Sequence, residues 1–276
     1  MSQIKRRTIL KAGALGSTMA EVATAPPGDV DAAFRAALAG PVLEAPDALW
    51  APIDSQEVWA SGVTYRRSEE ARMEESVSSA DAYARVYRAE RPELFFKAPG
   101  WRVVEPGGAI GIRADSTWDV PEPELALLVA PDGGIRAITC GNDVSSRSIE
   151  GENPLYLPQA KVYDRSCALG PVAVPAWSLD PPSLGVHVTI RRGGADVFEG
   201  HTSVGEIVRP LETLAEHLVR AYALPAGAWL LTGTGIVPPS DFTLAAGDEV
   251  AVAIDGLGVL RNTVVTVGRD RPTAGA

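Results

Sequence analysis

The chain has little that could staple it or anchor it. Its two cysteines, Cys140 and Cys167, cannot build a disulfide framework, and no C-x-x-C pair offers a zinc site. Both have apolar residues close by in the chain, the setting of a buried, reduced thiol. No apolar run approaches the roughly 18–20 residues of a membrane span. Positive charge is scarce too: 25 Lys and Arg stand against 35 Asp and Glu, a net charge of −10. That balance excludes a nucleic-acid surface, which needs clustered cations to neutralise phosphates. An anionic ligand would have to be met by a few cations gathered at its site. With 46% hydrophobic and 22% charged residues over 276 positions, the chain can build one large domain, with or without a small appendage.

The first 25 residues read two ways. Lys5-Arg6-Arg7-Thr8-Ile9-Leu10-Lys11 and the Ala/Gly stretch after it resemble a twin-arginine export signal, with Ala23-Thr24-Ala25 as a cleavage site. The apolar stretch is short, however, and Glu21 interrupts it, which fits a variant start before a cytoplasmic domain. Cytoplasmic location is the expectation, with export the alternative. Residues 1–55 are rich in Ala, Pro and Gly and form an N-terminal segment or small subdomain. Within them Asp31–Ala39 reads as a short helix, and 26–28 and 45–54 as loops. A strand-rich domain of residues 56–270 follows. Val58–Tyr65 reads as a strand ending in a turn, Ser68–Ala89 as a helix, and Pro210–Tyr222 as a second helix from its Leu211, Leu214, Leu218 and Val219 spacing. The fold class is α+β.

The sharpest feature is Pro121-Glu122-Pro123-Glu124-Leu125-Ala126-Leu127-Leu128-Val129-Ala130, a Pro131-Asp132-Gly133-Gly134 turn, then Ile135 through Asp143. Two strand-like runs about such a turn make a β-hairpin. Centred on Asp132-Gly133, it places opposite each other residues whose numbers sum to 265. Glu122 then faces Asp143, Glu124 faces Gly141, and all three acids project from one face. Opposed side chains have Cβ atoms roughly 5 Å apart, and opposed like charges destabilise a sheet. The rest of that face (Ala126, Leu128, Ala137, Thr139) is mainly apolar, so the carboxylates need a partner. Three converging carboxylates suit a hard octahedral cation, Mg²⁺ or Mn²⁺, and Gly141 would leave space for ligand or water. The bland alternative is a solvated strand start paired with arginines.

The Glu122-x-Glu124-Leu125-Ala126 strand, Asn142-Asp143-Val144-Ser145-Ser146-Arg147, Lys161-x-Tyr163-Asp164, Cys167-Ala-Leu-Gly170-Pro171, Leu231-Thr-Gly-Thr-Gly235 and Ala246-Gly247-Asp248 together resemble the fumarylacetoacetate hydrolase superfamily over residues 56–268. The resemblance implies a mixed β-roll, Mg²⁺ or Mn²⁺ on Glu122, Glu124 and Asp143, a small 2-oxo acid substrate and a homodimer. Hydrolases of that superfamily carry a water-activating His, with a Glu three positions later, after an aromatic residue of the entry region. The matching positions after Tyr65 are Ser68 and Ala71. His187 falls in an alternating strand, His201 in a loop and His217 on the 210–222 helix, none of them an evident replacement.

Ser61-Gly62-Val63-Thr64-Tyr65, Arg91-Pro92-Glu93-Leu94-Phe95-Phe96-Lys97 and Ser148 through Lys161 are instead similar to the superfamily's sugar-acid dehydratase branch, the 2-keto-3-deoxy-D-arabinonate dehydratase-like members. This implies metal-dependent dehydration of a 2-keto-3-deoxy pentonate in pentose catabolism, giving a product like 2-oxoglutarate semialdehyde. Such chemistry removes a C3 proton, stabilises the enolate and expels the C4 hydroxyl. Lys161 is the leading base, because a lysine beside a cation in a dry site has its pKa pulled down. Glu93, ahead of an apolar run, is the second proton-transfer group. Arg147 and Lys97 are either carboxylate clamps or partners of the acidic cluster. Thr234, in a Gly-rich turn, is a contact for the substrate carboxylate, and the segment from Ser61 to Tyr65 lines or lids the entrance. Three alternatives stay open: an acylpyruvate-type C–C hydrolase using Glu74 or Glu75, an isomerase or decarboxylase of an unsaturated 2-hydroxy diacid, and a non-enzymatic binding protein.

Overall fold

The molecule is described by a computed structural model covering residues 18–39, 48–65 and 85–268. The twin-arginine-like stretch, Ser68, Ala71, Glu74 and Glu75 lie outside those residues, as does most of the 68–89 helix, whose described end at 85–88 is helical.

Two large sheets carry the fold. The first runs β2 (Glu93–Pro99), β1 (Glu57–Gly62), β11 (Ala228–Leu231), β5 (Pro123–Val129), β6 (Ile135–Asp143), β8 (Cys167–Pro175). The second runs β10 (Ala195–Ser203), β9 (Gly185–Arg192), β12 (Glu249–Ile254), β13 (Gly258–Val267), β3 (Ala109–Arg113). β1 pairs parallel to β11, and β13 parallel to β3, so both sheets are mixed, as a β-roll requires. A short ribbon of β4 (Asp119–Val120) and β7 (Ser145–Ser146) lies beside them.

Alternation explains the layering. Leu125, Leu127 and Val129 of β5 and Ile138 and Cys140 of β6 face the second sheet, packing with Val186, Val188, Ile190, Val250, Val252, Ile254, Leu260 and Val264. The intervening Ala126, Leu128 and Ala137 turn to the opposite face, where Val58, Ala60, Ala98, Leu169, Trp229 and Leu231 form a second core. β5 is therefore buried along its whole length. Each fully buried large apolar side chain contributes about 1.5–3 kcal/mol.

The N-terminal segment closes that second core. Helix α1 (Met19–Thr24) buries Met19 and Ala23 in it and starts on a capping box in which Thr18 and Glu21 satisfy each other's backbone N–H groups. Helix α2 begins at Pro27 and runs to Ala39, longer than the 31–39 expected, with Pro27 in the first turn where its missing N–H costs nothing. Two of the three residues of the expected loop at 26–28 are thus helical. Helices α3 (Arg147–Glu152) and α4 (Leu157–Lys161) were not anticipated, whereas the 210–222 expectation appears as α5 (Leu211–Val219). His201 is not in a loop. It sits on β10 opposite His187 of β9.

Candidate metal centre and its cleft

The β5–β6 hairpin has the register read from its turn: Glu124 opposes Gly141, Ala126 opposes Thr139 and Leu128 opposes Ala137. Beyond the first of these pairs, away from the turn, Asp143 N–H donates to Glu122 O at 2.9 Å. Period-two alternation therefore brings Glu122, Glu124 and Asp143 to one face, where one carboxylate oxygen from each lies within 4.8 Å of the others. All three are buried, Glu124 and Asp143 to 1% exposure. One expectation for this face fails: a Cβ on Gly141 would lie 2.2 Å from Leu231 Cδ2, so core, not ligand, fills that space.

Three cations surround the acids. Lys161, the last residue of α4, is buried and donates to Glu122 Oε2 at 2.7 Å and Ser145 Oγ at 2.6 Å, and lies 3.6 Å from Asp143 Oδ2. Arg147 reaches Glu122 Oε1 at 2.8 Å. It opens α3, whose N-cap Ser146 accepts from Ile149 N–H, and its own N–H is tied to Trp118 O at 2.8 Å. Lys97 pairs with Asp143 Oδ1 and donates to the Val144 and Lys161 carbonyls at 3.1 and 2.5 Å. Gly233 N–H donates to Glu124 Oε2 at 2.6 Å. Burial first, then the neighbouring Asp143 and Glu122 charges, hold the Glu124 carboxyl well above the usual range, against the smaller opposing pull of Lys161 and Gly233.

A narrow, partly open cleft lies over this cluster. Ser61, Glu93, Glu122, Glu124, Asp143, Arg147, Lys161 and Thr234 all line it. The chain comes together there from β1, β2, the hairpin, α3, α4 and the loop after β11. Glu93 reaches in because Gly62 carries no side chain: a Cβ there would sit 2.1 Å from Glu93 Oε2. Two of the nominated residues lie outside the lining. Lys97 is wholly buried behind Asp143, where the structure makes it an ion-pair partner rather than a clamp open to a ligand. Tyr65 is buried beside Gly235, its hydroxyl without a hydrogen-bond partner among the described residues. Burial, with Glu124 and Glu206 nearby, pushes that hydroxyl up.

Several cleft residues escaped the sequence reading. Glu150, buried on α3 one turn after Arg147, was legible from its i,i+3 spacing. Ser145, which lies outside the lining but holds Lys161, was legible only as a small residue two positions after Asp143. Phe95, Leu157 and Val237 gave no signal in one dimension, whereas Val63 lies within the Ser61–Tyr65 segment expected at the entrance. None of His187, His201 and His217 lines the cleft.

The donor set fits a divalent cation. With Glu93 and Glu150, the cleft gathers five carboxylates against Lys161, Arg147 and the underlying Lys97. With all of them ionised, the excess is two negative charges, which one Mg²⁺ or Mn²⁺ balances, and all-oxygen ligation suits either ion.

Comparison with known proteins gives a consistent picture. Residues 57–265 match the fumarylacetoacetate (FAA) hydrolase C-terminal family. The chain is 53% identical over 217 residues to a probable 2-keto-3-deoxyxylonate dehydratase of Haloferax volcanii, covering 78% of this chain and 74% of that protein. It is 43% identical over 213 residues to the 2-dehydro-3-deoxy-D-arabinonate dehydratase of Saccharolobus solfataricus, covering 76% and 72% respectively. A structure of 2-keto-3-deoxy-D-arabinonate dehydratase complexed with magnesium and 2,5-dioxopentanoate is 41% identical, covers 79% of this chain and 75% of that one, and superposes with a TM-score of 0.73.

Proposed function

The chain belongs to the fumarylacetoacetate hydrolase family, and from that premise we propose that it is a Mg²⁺-dependent dehydratase of 2-keto-3-deoxy pentonates. The observation that carries the reading is a buried carboxylate triad whose neighbouring basic group is Lys161, in a cleft that no histidine lines. Two dehydratase relatives and the solved magnesium complex of a 2-keto-3-deoxy-D-arabinonate dehydratase support the same chemistry.

Glu122, Glu124 and Asp143 would hold the metal, which when bound would supply Lewis-acid chemistry to the 2-oxo group. Lys161 is the base for the C3 proton, and its contacts with Ser145 and Glu122 fix the direction from which it acts. Glu93 delivers a proton to the departing C4 hydroxyl, which leaves as water. Loss of one water from the five-carbon acid, followed by proton shifts along the chain, gives 2,5-dioxopentanoate, a 2-oxoglutarate semialdehyde. Arg147 and Thr234 bind the substrate carboxylate, Ser61 orients Glu93 by donating to its carbonyl at 2.9 Å, and Tyr65 backs the Gly235 turn. Lys97 holds Asp143 and the Lys161 carbonyl in place. The N-terminal segment serves as a cover of the second core rather than a separate unit, with residues 56–270 forming the catalytic domain.

Among the described residues no helix is long and apolar enough to cross a membrane. We place the enzyme in the cytoplasm in a pentose-breakdown route, a setting in which the buried free thiols Cys140 and Cys167 stay reduced. A homodimer is supported by Trp50, Trp101 and Leu155, each about four-fifths exposed and of the kind an interface covers. The reading is tested by offering purified protein a 2-keto-3-deoxypentonate and fumarylpyruvate side by side. Dehydration of the first is expected; carbon–carbon cleavage of the second without dehydration would replace the reading with a hydrolase.

A further inference from the structure

Val63 has a positive φ of 53°, in the left-handed region that a β-branched residue rarely occupies. Glycine would hold the same turn without that cost. The turn is pinned on both sides. Ser61 donates to Glu93 O at 2.9 Å, and the Glu93 carboxylate occupies the space where a side chain on Gly62 would stand. Thr64 donates to Thr232 O at 2.6 Å and accepts Val208 N–H through its own carbonyl at 3.0 Å. Its hydroxyl also fills the place where a Cβ of Gly233 would stand. Between these ties the Val63 side chain cannot swing away. It is 6% exposed and lines the cleft, sharing its apolar wall with Phe95, Leu157 and Val237.

A strained residue persisting where an unstrained one would serve points to a task for its side chain. We propose that Val63 is a specificity-determining residue whose isopropyl group closes the cleft beyond the fifth carbon of a 2-oxo acid. This rests on the 2-oxo acid reading of the cleft, and extends it to chain length. The part of the acid remote from the triad meets the apolar wall, and one carbon more than the wall accommodates is resisted by a backbone that cannot yield.

The test is calorimetric titration of Mg²⁺-loaded protein with straight-chain 2-oxo acids of four, five and six carbons, for wild type, Val63→Gly and Val63→Ala. Wild type is expected to lose about tenfold or more in affinity between five and six carbons, the usual discrimination for one methylene. Val63→Gly removes that step, and Val63→Ala, which retains the strained backbone, reduces it. A step of equal size in wild type and in whichever variants fold, or no step in wild type, overturns the proposal. Turnover is read separately with 2-keto-3-deoxy pentonates and hexonates. If wild type dehydrates neither, the dehydratase reading fails while the binding series still decides the role of Val63.

Discussion

Replacing Lys97 by Met keeps the length of the side chain and removes its charge from a place with no access to water. Lys97 is fully buried, pairs with Asp143 and donates to two carbonyls, Val144 O and Lys161 O. Breaking one side of a buried ion pair costs about 3–5 kcal/mol, because the remaining charge is stranded. For a chain of this size each kcal/mol moves the melting temperature by about 2–4 °C, so the metal-free variant should melt at least about 6 °C lower. Divalent metal should recover much of that loss. A ligand at a hundred times its Kd stabilises the folded state by about 2.7 kcal/mol, and in the variant Asp143 no longer has Lys97 as a competing cation. Thermal melts at pH 8, with chelator and with excess Mg²⁺, give both numbers. The expected pattern is a large gap between wild type and variant in chelator, and a larger Mg²⁺-induced rise in the variant. Equal melting temperatures in chelator, or the same rise in both proteins, would refute the idea that Lys97 balances the charge of Asp143.

Three further outcomes follow from other parts of the fold. Gly62→Ala places a Cβ 2.1 Å from the Glu93 carboxylate, a flexible group that gives way; turnover should fall by about a hundredfold, the usual worth of a positioned proton donor, with the melting temperature little changed. Asp119 is buried with Oδ1 unpartnered among the described residues, and burial raises its pKa from 3.8 to about 6. The folded state thus binds more protons than the unfolded chain between those values, so stability falls as pH rises through that window and stays lower above it. Asp119→Asn should gain on the order of 2–3 kcal/mol at pH 7.5, a gain that disappears toward pH 4 in denaturant titrations. Met19→Ala should cost about 2–3 kcal/mol by opening a void in the second core, measured by urea unfolding; a loss near zero would mean that α1 is not part of the cover.

How much of this could be read from the sequence depended on how local the cause was. The hairpin register was legible because its turn fixes the pairing and period-two alternation fixes the faces, so Glu122, Glu124 and Asp143 could be placed together before any coordinates. The burial of Lys161 was not legible, since it arises where α4 meets the hairpin, and α4 is too short to leave a helical pattern. Gly141 shows the same limit in reverse. Its partner across the hairpin was right, but the occupant of the space above it, Leu231, lies ninety positions downstream on β11. Helix α1 had a legible capping box in Thr18 and Glu21, masked by the resemblance of that stretch to the end of an export signal. Val63 was legible as part of the entrance segment, but its strain was not, because that follows from ties to Glu93, Thr232 and Val208, three distant parts of the chain.

The central claim, metal-dependent dehydration at the Glu122, Glu124 and Asp143 centre, is tested most directly by proton NMR of a 2-keto-3-deoxypentonate incubated with chelator-treated protein and then with Mg²⁺ restored. The account predicts an unchanged spectrum before Mg²⁺. Once the metal is back, the C4 methine should disappear and the 2,5-dioxopentanoate aldehyde, or its hydrate, should grow in its place. Equal turnover in the chelator, or fragments from a broken carbon–carbon bond, would contradict it.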